Sequence, residues 1–392
     1  MKFYTLLSIF LIYIIQYTYS FPQNKLPKDA IIVAKDGSGN FKTVTEAINS
    51  LPNNASSERV IYIKNGTYYE YIVCQKKFVT MVGENRDKVI LTYDLNNAKT
   101  GSSSKCATFR SYGDNFKAFD ITFENTAPFP GVNTQAPAIN CMAKNQYYEN
   151  CRFLSYQDTL LSNTGTQYFK NCYIRGFTDF IWGSGRAVFD QCTIHVDSKG
   201  DIYRANAYLT ANGNKDGNFK EGGFLITNSK VTTDGSSFYL GRLWKQNCYV
   251  IFDNTEFPGN KLVKEGWTTF SNTPQYSSTS RVGEHKCYGP NYNTYGRVSY
   301  ANQFSSVPSI AEFLGGNISY IDDTFVKKGT ATQKAVETKT LTTTTIKPIE
   351  TSSADPNCNP LYYQCGGVNY KGSKCCRQGT CKKYNDYFSV YK

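Results

Sequence analysis

The chain has 392 residues, 40% hydrophobic and 15% aromatic, enough for one large core and a smaller unit, since single cores stop growing at roughly 250–300 residues. Its net charge of +12 is uneven: residues 326–392 hold eleven Lys/Arg against four Asp/Glu, leaving the larger part only mildly basic. That part has no basic cluster and no nucleic-acid-binding motif, so nucleic acid is excluded as an expected partner.

Residues 1–20 read as a secretory signal. Lys2 supplies the positive start, Tyr4 to Ile15 is mostly apolar, and Thr18-Tyr19-Ser20 puts small residues at −3 and −1 of a cut after Ser20. The apolar run is too short for a comfortable membrane span and nothing later reaches about 18 apolar residues. A secreted, extracellular monomer is expected, an N-terminal anchor being the alternative. Thirteen cysteines then suggest disulfides. Eight lie between Cys74 and Cys287 and five between Cys358 and Cys381, and the odd total leaves at least one thiol over. Sequons at Asn54, Asn65 and Asn317 fit a glycoprotein.

Residues 21–326 form the expected large domain. Helical periodicity is confined to Val44–Leu51 and a short stretch around Ser309–Leu314. Elsewhere a short unit recurs: Asn150-Cys151-Arg152-Phe153, Asn171-Cys172-Tyr173-Ile174 and Gln191-Cys192-Thr193-Ile194, then more loosely Asn228-Ser229-Lys230-Val231 and Asn254-Thr255-Glu256-Phe257. Short β-prone runs repeating every 20 or so residues predict an all-β, parallel β-helix; an antiparallel sandwich is the competing reading. Residues 327–357, Thr-rich and without an aromatic, predict an extended linker. Residues 358–392 form a separate cysteine-rich unit.

The repeat places Asp158 eight residues after Asn150 and Asp179 eight residues after Asn171. On neighbouring coils the two carboxylates would lie about 4.8 Å apart, the spacing of adjacent strands. At that distance they do not both ionise cheaply, which suits one charged nucleophile beside one protonated acid. The plain alternative is a pair of turn residues. Gln135, 22 residues before Gln157, is expected one rung from it. Other chemistries fit less well: there are two histidines, no Gly-x-Ser-x-Gly elbow, no zinc spacing, no calcium loop and no phosphate-binding glycine loop. No metal or cofactor is expected.

Five segments in order, Gly66-Thr67-Tyr68-Tyr69-Glu70, Gln135-Ala136-Pro137-Ala138-Ile139, Gln157-Asp158-Thr159-Leu160, Asp179-Phe180-Ile181-Trp182-Gly183 and Leu240-Gly241-Arg242-Leu243-Trp244, resemble the signatures of pectin methylesterases. The resemblance spans roughly residues 30–320. It implies a right-handed parallel β-helix acting on methyl-esterified pectin without a cofactor. It also implies Asp179 as nucleophile, Asp158 as general acid and base, Gln135 and Gln157 as oxyanion donors and Arg242 as the partner of Asp179. Trp244 would pack on a sugar ring, with Thr108 and Trp267 as further substrate contacts. Pro137, Trp182 and Leu243 depart from the family's usual Val, Phe and Pro. Two carboxylates this close also describe a retaining glycosidase, and a non-catalytic wall-binding protein is a third reading.

Tyr362-Tyr363-Gln364-Cys365-Gly366-Gly367, Cys375-Cys376, Cys381 and Asn385-Asp386-Tyr387-Phe388-Ser389 resemble the small fungal cellulose-binding module. The likeness implies that Tyr362, Tyr387 and Phe388 stack on glucose rings of cellulose. Tyr391 stands where that family closes its last disulfide, which would leave Cys376 unpaired.

Overall fold

The computed structural model describes residues 26–129, 131–197, 205–214 and 222–321, and the strands at 364–366, 381–385 and 388–391. The chain divides into two units, residues 1–332 and 333–392.

One coil of the larger unit shows how the sequence winds. Strand Gln146–Glu149 is followed by Arg152–Leu154 and Leu160–Ser162, and the next coil repeats them as Thr166–Lys170, Tyr173–Gly176 and Ile181–Gly183. Each strand pairs in parallel with its counterpart one coil away, as in Tyr148↔Phe169, Phe153↔Ile174 and Leu160↔Ile181. The result is three sheets of eleven, eight and seven strands, all paired in parallel among the described residues of this unit. The fold is therefore the right-handed parallel β-helix and not the antiparallel sandwich.

Stacking of like on like holds the coils in register. Tyr148, Phe169 and Phe189 stack at centroid spacings of 4.8 Å with interplanar angles of 10° and 4°. These are rung spacings, so each ring buries both faces. The sharp corner between the first and second strands of a coil is one left-handed residue: Asn150, Asn171, Gln191, Asn228 or Asn254, with φ between 42° and 57°. Asn tolerates that region better than most side chains. The corner amides then join coil to coil, Asn171 Nδ2 donating to Asn150 Oδ1 (3.3 Å) and Asn254 Nδ2 to Asn228 Oδ1 (2.9 Å).

The residue after each corner points inward, and here the disulfide expectation is corrected. All eight cysteines from Cys74 to Cys287 are free. Cys151, Cys172 and Cys192 repeat one position, each thiol facing two backbone carbonyls at 3.4–3.5 Å. Ser229 and Thr255 do the same with hydroxyls. The repeat thus selects a small, weakly donating side chain, a role a buried Cys fills without a partner.

Both expected helices are present and short. Val44–Ser50 carries a Thr43/Glu46 capping box and buries Val44, Ala47 and Ile48 against one end of the core; Ile310–Phe313 carries a Ser309/Glu312 box. Around the second helix, Phe313, Leu314 and Tyr320 cover the outer apolar face of the eleven-stranded sheet, packing with Tyr147, Tyr168, Val188, Leu225 and Ile251. The outward face of the eight-stranded sheet carries the polar cleft described next. In the smaller unit, Gln364–Gly366, Phe388–Tyr391 and Cys381–Asn385 form an antiparallel sheet with Phe388–Tyr391 central.

Candidate active site

The eight-stranded sheet presents one outward row of side chains: Arg110, Asn140, Leu161, Trp182, Ala211 and Arg242 on successive rungs. A cleft of about 510 Å³ lies over its middle and is lined by Gln135, Gln157, Asp158, Asp179, Arg242 and Trp244, among others. Six sequence-predicted residues therefore meet in one place.

Asp158 and Asp179 each stand two residues before successive strands of this sheet, Leu160–Ser162 and Ile181–Gly183, and the Asp158 amide donates to the Thr178 carbonyl at 3.0 Å, which sets them on adjacent rungs. Both adopt left-handed backbone, φ 66° and 51°. Such conformations cost roughly 1–3 kcal/mol each and persist where surrounding structure enforces them. Both side chains are buried.

Arg242 reaches back two rungs to Asp179, over the small Ala211 between them. Its Nε donates to Asp179 Oδ1 at 2.9 Å and its Nη2 to Oδ2. This two-point fork is the geometry in which arginine holds a carboxylate most firmly. The guanidinium lies between the rings of Tyr208 and Phe270, at 4.3 and 4.0 Å from their centroids. Burial alone would lower its affinity for a proton; the Asp179 charge and hydrogen bond outweigh that and shift it upward.

The two glutamines come into line through a local irregularity. The amides of Ala138 and Ile139 both donate to the Thr159 carbonyl, at 2.8 and 3.4 Å, while Ala136 donates to Gln157 at 3.1 Å. One extra residue is absorbed there, which turns the 21-residue coil into the 22-residue spacing between Gln135 and Gln157. Gln135 Oε1 accepts from Asn97 (3.1 Å) and Gln157 Oε1 from Thr134 (3.5 Å), so each side-chain NH2 is left to donate into the cleft.

Trp244 meets Trp182 edge to face, centroids 5.3 Å apart, and the Trp182 indole donates to the Asp158 carbonyl at 2.9 Å. Of the family departures, Trp182 thus shapes the cleft directly. Leu243 is buried, and it and Arg242 end the strand Ser237–Leu243.

Two expected substrate contacts are corrected. Thr108 is fully buried, its hydroxyl donating to the Glu124 carbonyl at 2.8 Å; Thr159 makes the same bond to Arg175. Both tie strand to corner. Trp267 is 1% exposed and pairs in register with Gly241, in the inward row beside the one carrying Arg242. Neither side chain offers a surface to a ligand. Sequence reasoning in turn missed Phe270, Tyr208 and the Ser102–Ser104 wall.

Among the described residues no cluster of His, Cys, Asp or Glu could hold a metal ion, and no helix is long and apolar enough to cross a membrane.

The pectinesterase family model matches residues 30–317. The chain belongs to the pectinesterase family. It is thus a carboxylic ester hydrolase with pectin methylesterase activity. "Putative pectinesterase 14" of Arabidopsis thaliana is 34% identical over 295 residues, covering 74% of this chain and 86% of that protein. "Probable pectinesterase 50" of the same plant is 33% identical over 277 residues, covering 70% and 74%. Among solved structures, the pectin methylesterase from carrot superposes with a TM-score of 0.68 at 29% identity, over 76% of this chain and 95% of that one. The Aspergillus niger enzyme gives 0.66 at 26%, over 76% and 96%. Residues 361–388 of this pectinesterase match the fungal cellulose binding domain. Of the aromatics expected to touch cellulose, Tyr362 and Tyr387 lie outside the described residues, and Phe388 begins a strand whose side chains are not described.

Proposed function

We propose that this pectinesterase removes methyl groups from pectin through an acyl-enzyme on Asp179. The observation that carries the reading is the Arg242 fork on Asp179, one rung from Asp158. The guanidinium stabilises the anion of Asp179 and aims it, leaving Asp158 to carry the proton of the pair.

Asp179 attacks the C6 carbonyl of a methyl galacturonate, and charge builds on the carbonyl oxygen. The amides of Gln135 and Gln157 meet that oxyanion; a preorganised donor of this kind is worth about 10²–10³ in rate. The tetrahedral centre collapses with cleavage of the bond to the methoxy oxygen, which leaves as methanol with the proton of Asp158. Asp158, now a carboxylate, takes a proton from water. The water oxygen attacks the acyl carbon and the bond from that carbon to the Asp179 oxygen breaks, which restores the Asp179 carboxylate and the protonated Asp158 and releases the uronic acid, whose proton passes to solvent. Trp244 and Trp182 supply apolar ring surface for the sugar.

A retaining glycosidase also places two carboxylates at this separation, but bond cleavage at a sugar acetal builds no carbonyl oxyanion for the two glutamines. Methanol appearing from methylated pectin without new reducing ends supports the ester reaction; chain cleavage without methanol rejects it.

The signal-like residues 1–20, the Thr-rich linker at 327–357 and the module at 358–392 support secretion and delivery to plant cell wall, with cellulose held through Tyr362, Tyr387 and Phe388. The sequons at Asn54, Asn65 and Asn317 all fall on exposed side chains, as glycosylation requires.

A further inference from the structure

Asp158 and Asp179 share a left-handed backbone, φ 66° and 51°, but they are fixed in different ways. Asp179 is gripped at its carboxylate by Arg242. Asp158 is gripped at its main chain: its N–H donates to the Thr178 carbonyl at 3.0 Å, and its C=O accepts from the Trp182 indole at 2.9 Å. The peptide on each side of its Cα is thereby pinned. A non-glycine residue relaxes out of the left-handed region unless its surroundings hold it there, and here both peptides are held. The direction in which the Asp158 carboxyl leaves the backbone is set by those two bonds. Their partners, Thr178 and Trp182, flank Asp179 in the chain, so the segment that presents one carboxyl also fixes the other, one rung away.

The pleat places Trp182 for this task. It stands in the outward row between Leu161 and Ala211, half-buried, with its ring edge-to-face on Trp244. An indole carries one N–H donor, and this one goes to the main chain of Asp158. Phenylalanine, the usual residue of the family at this position, would fill the row with a ring but offer the carbonyl nothing.

We propose that Trp182 is a positioning residue, whose indole N–H holds the main chain of Asp158 so that its carboxyl proton is aimed at the departing methoxy oxygen. This role rests on Asp158 acting as the general acid, as proposed above, and names the group that aims it. Proton transfer in the transition state requires the acid within hydrogen-bond reach of the leaving atom. A carboxyl released from one of its two main-chain ties meets that geometry less often, while the sugar binds as before. Loss of the indole donor therefore lowers kcat and leaves KM where it was.

The full chain carrying Trp182→Phe, which keeps a ring and removes the donor, tests this. On methyl-esterified galacturonate oligomers its kcat for methanol release is expected to fall about tenfold, with KM within about twofold of the parent. The nitrophenyl ester of the same oligomers supplies the readout that a merely structural role would not separate. Nitrophenolate departs without a proton, so its burst, which reports the first step alone, is expected to keep a rate within about twofold of the parent. Rates are taken per active site from the burst amplitude, so misfolded chains do not enter. Equal slowing with both leaving groups, an unchanged kcat for methanol, or a loss confined to KM would each overturn the proposal. Asp158→Asn is measured alongside and is expected to lose methanol release at least about 10²-fold while keeping the burst. If Asp158→Asn slows both esters alike, Asp158 is not the acid, and that reading and this one fall together. If Asp158→Asn shows the contrast and Trp182→Phe does not, only the role of Trp182 falls.

Discussion

Asp158 and Asp179 were legible in the sequence because a coil converts an interval of 21 residues into stacking, so equal offsets from Asn150 and Asn171 become adjacent rungs. Arg242 was not reachable by that interval, since longer insertions separate its strand from the earlier coils; only the family resemblance singled it out. Trp267, expected as a substrate contact, is buried one position away from the outward row. In a strand such a shift exchanges the two faces, and Trp267 pairs with Gly241 on the inward row, not with Arg242 on the outward one. Tyr208 and Phe270 left no sequence signal because each is distant in the chain from the arginine it holds. The role assigned to the glutamines has a direct consequence: Gln157→Ala is expected to lower kcat for methanol release about 10²-fold or more with KM little changed, as loss of a transition-state contact requires. A raised KM at constant kcat would make Gln157 a substrate-binding residue only.

At the scale of the coil, the corner ladder explains both the repeat and its exceptions. Asp120 takes the corner position where later coils have Asn or Gln, at φ 56°, and accepts from Asn150 Nδ2. Burial dominates and pushes its carboxyl from 3.8 up to about 6, against the opposing Asn150 hydrogen bond. Below about pH 4 it is protonated in folded and unfolded chains alike and has no effect. As pH rises from about 4 to 6 the unfolded chain ionises first, so stability is lost across that window, by about 3 kcal/mol in order of magnitude. Asp120→Asn is therefore expected to raise the Tm at pH 7 and to match the parent below pH 4; equal Tm values at pH 7 would contradict this. The cysteines were misread at the same scale, because secretion suggested bridges where the coil interval places small inward side chains instead. In the unfolded chain without reductant, a thiol-reactive label is expected to modify at least eight cysteines, and fewer would mean that disulfides link the β-helix.

For the whole molecule, the fold class followed from a repeat of about 20 residues, while a Thr-rich stretch and clustered cysteines mark the expected linker and small module. What composition did not reveal is that the β-helix is held by stacked rings and corner amides, with none of its eight cysteines bridged. The small unit retains its aromatic residues but has Tyr391 in place of a closing cysteine, a bridge whose loss from a small domain costs about 2–5 kcal/mol. Tyr362→Ala together with Tyr387→Ala is expected to abolish retention of the full chain on microcrystalline cellulose, read by sedimentation; undiminished retention would place the binding surface elsewhere. The central claim, ester cleavage by Asp179 held by Arg242, is tested most directly by a time course of methanol and reducing ends on highly methylated pectin, for the parent chain and Asp179→Asn. Methanol without reducing ends is expected from the parent, and at least about a 10³-fold lower rate from the variant. Undiminished methanol release from Asp179→Asn, or reducing ends in place of methanol from the parent, would contradict it.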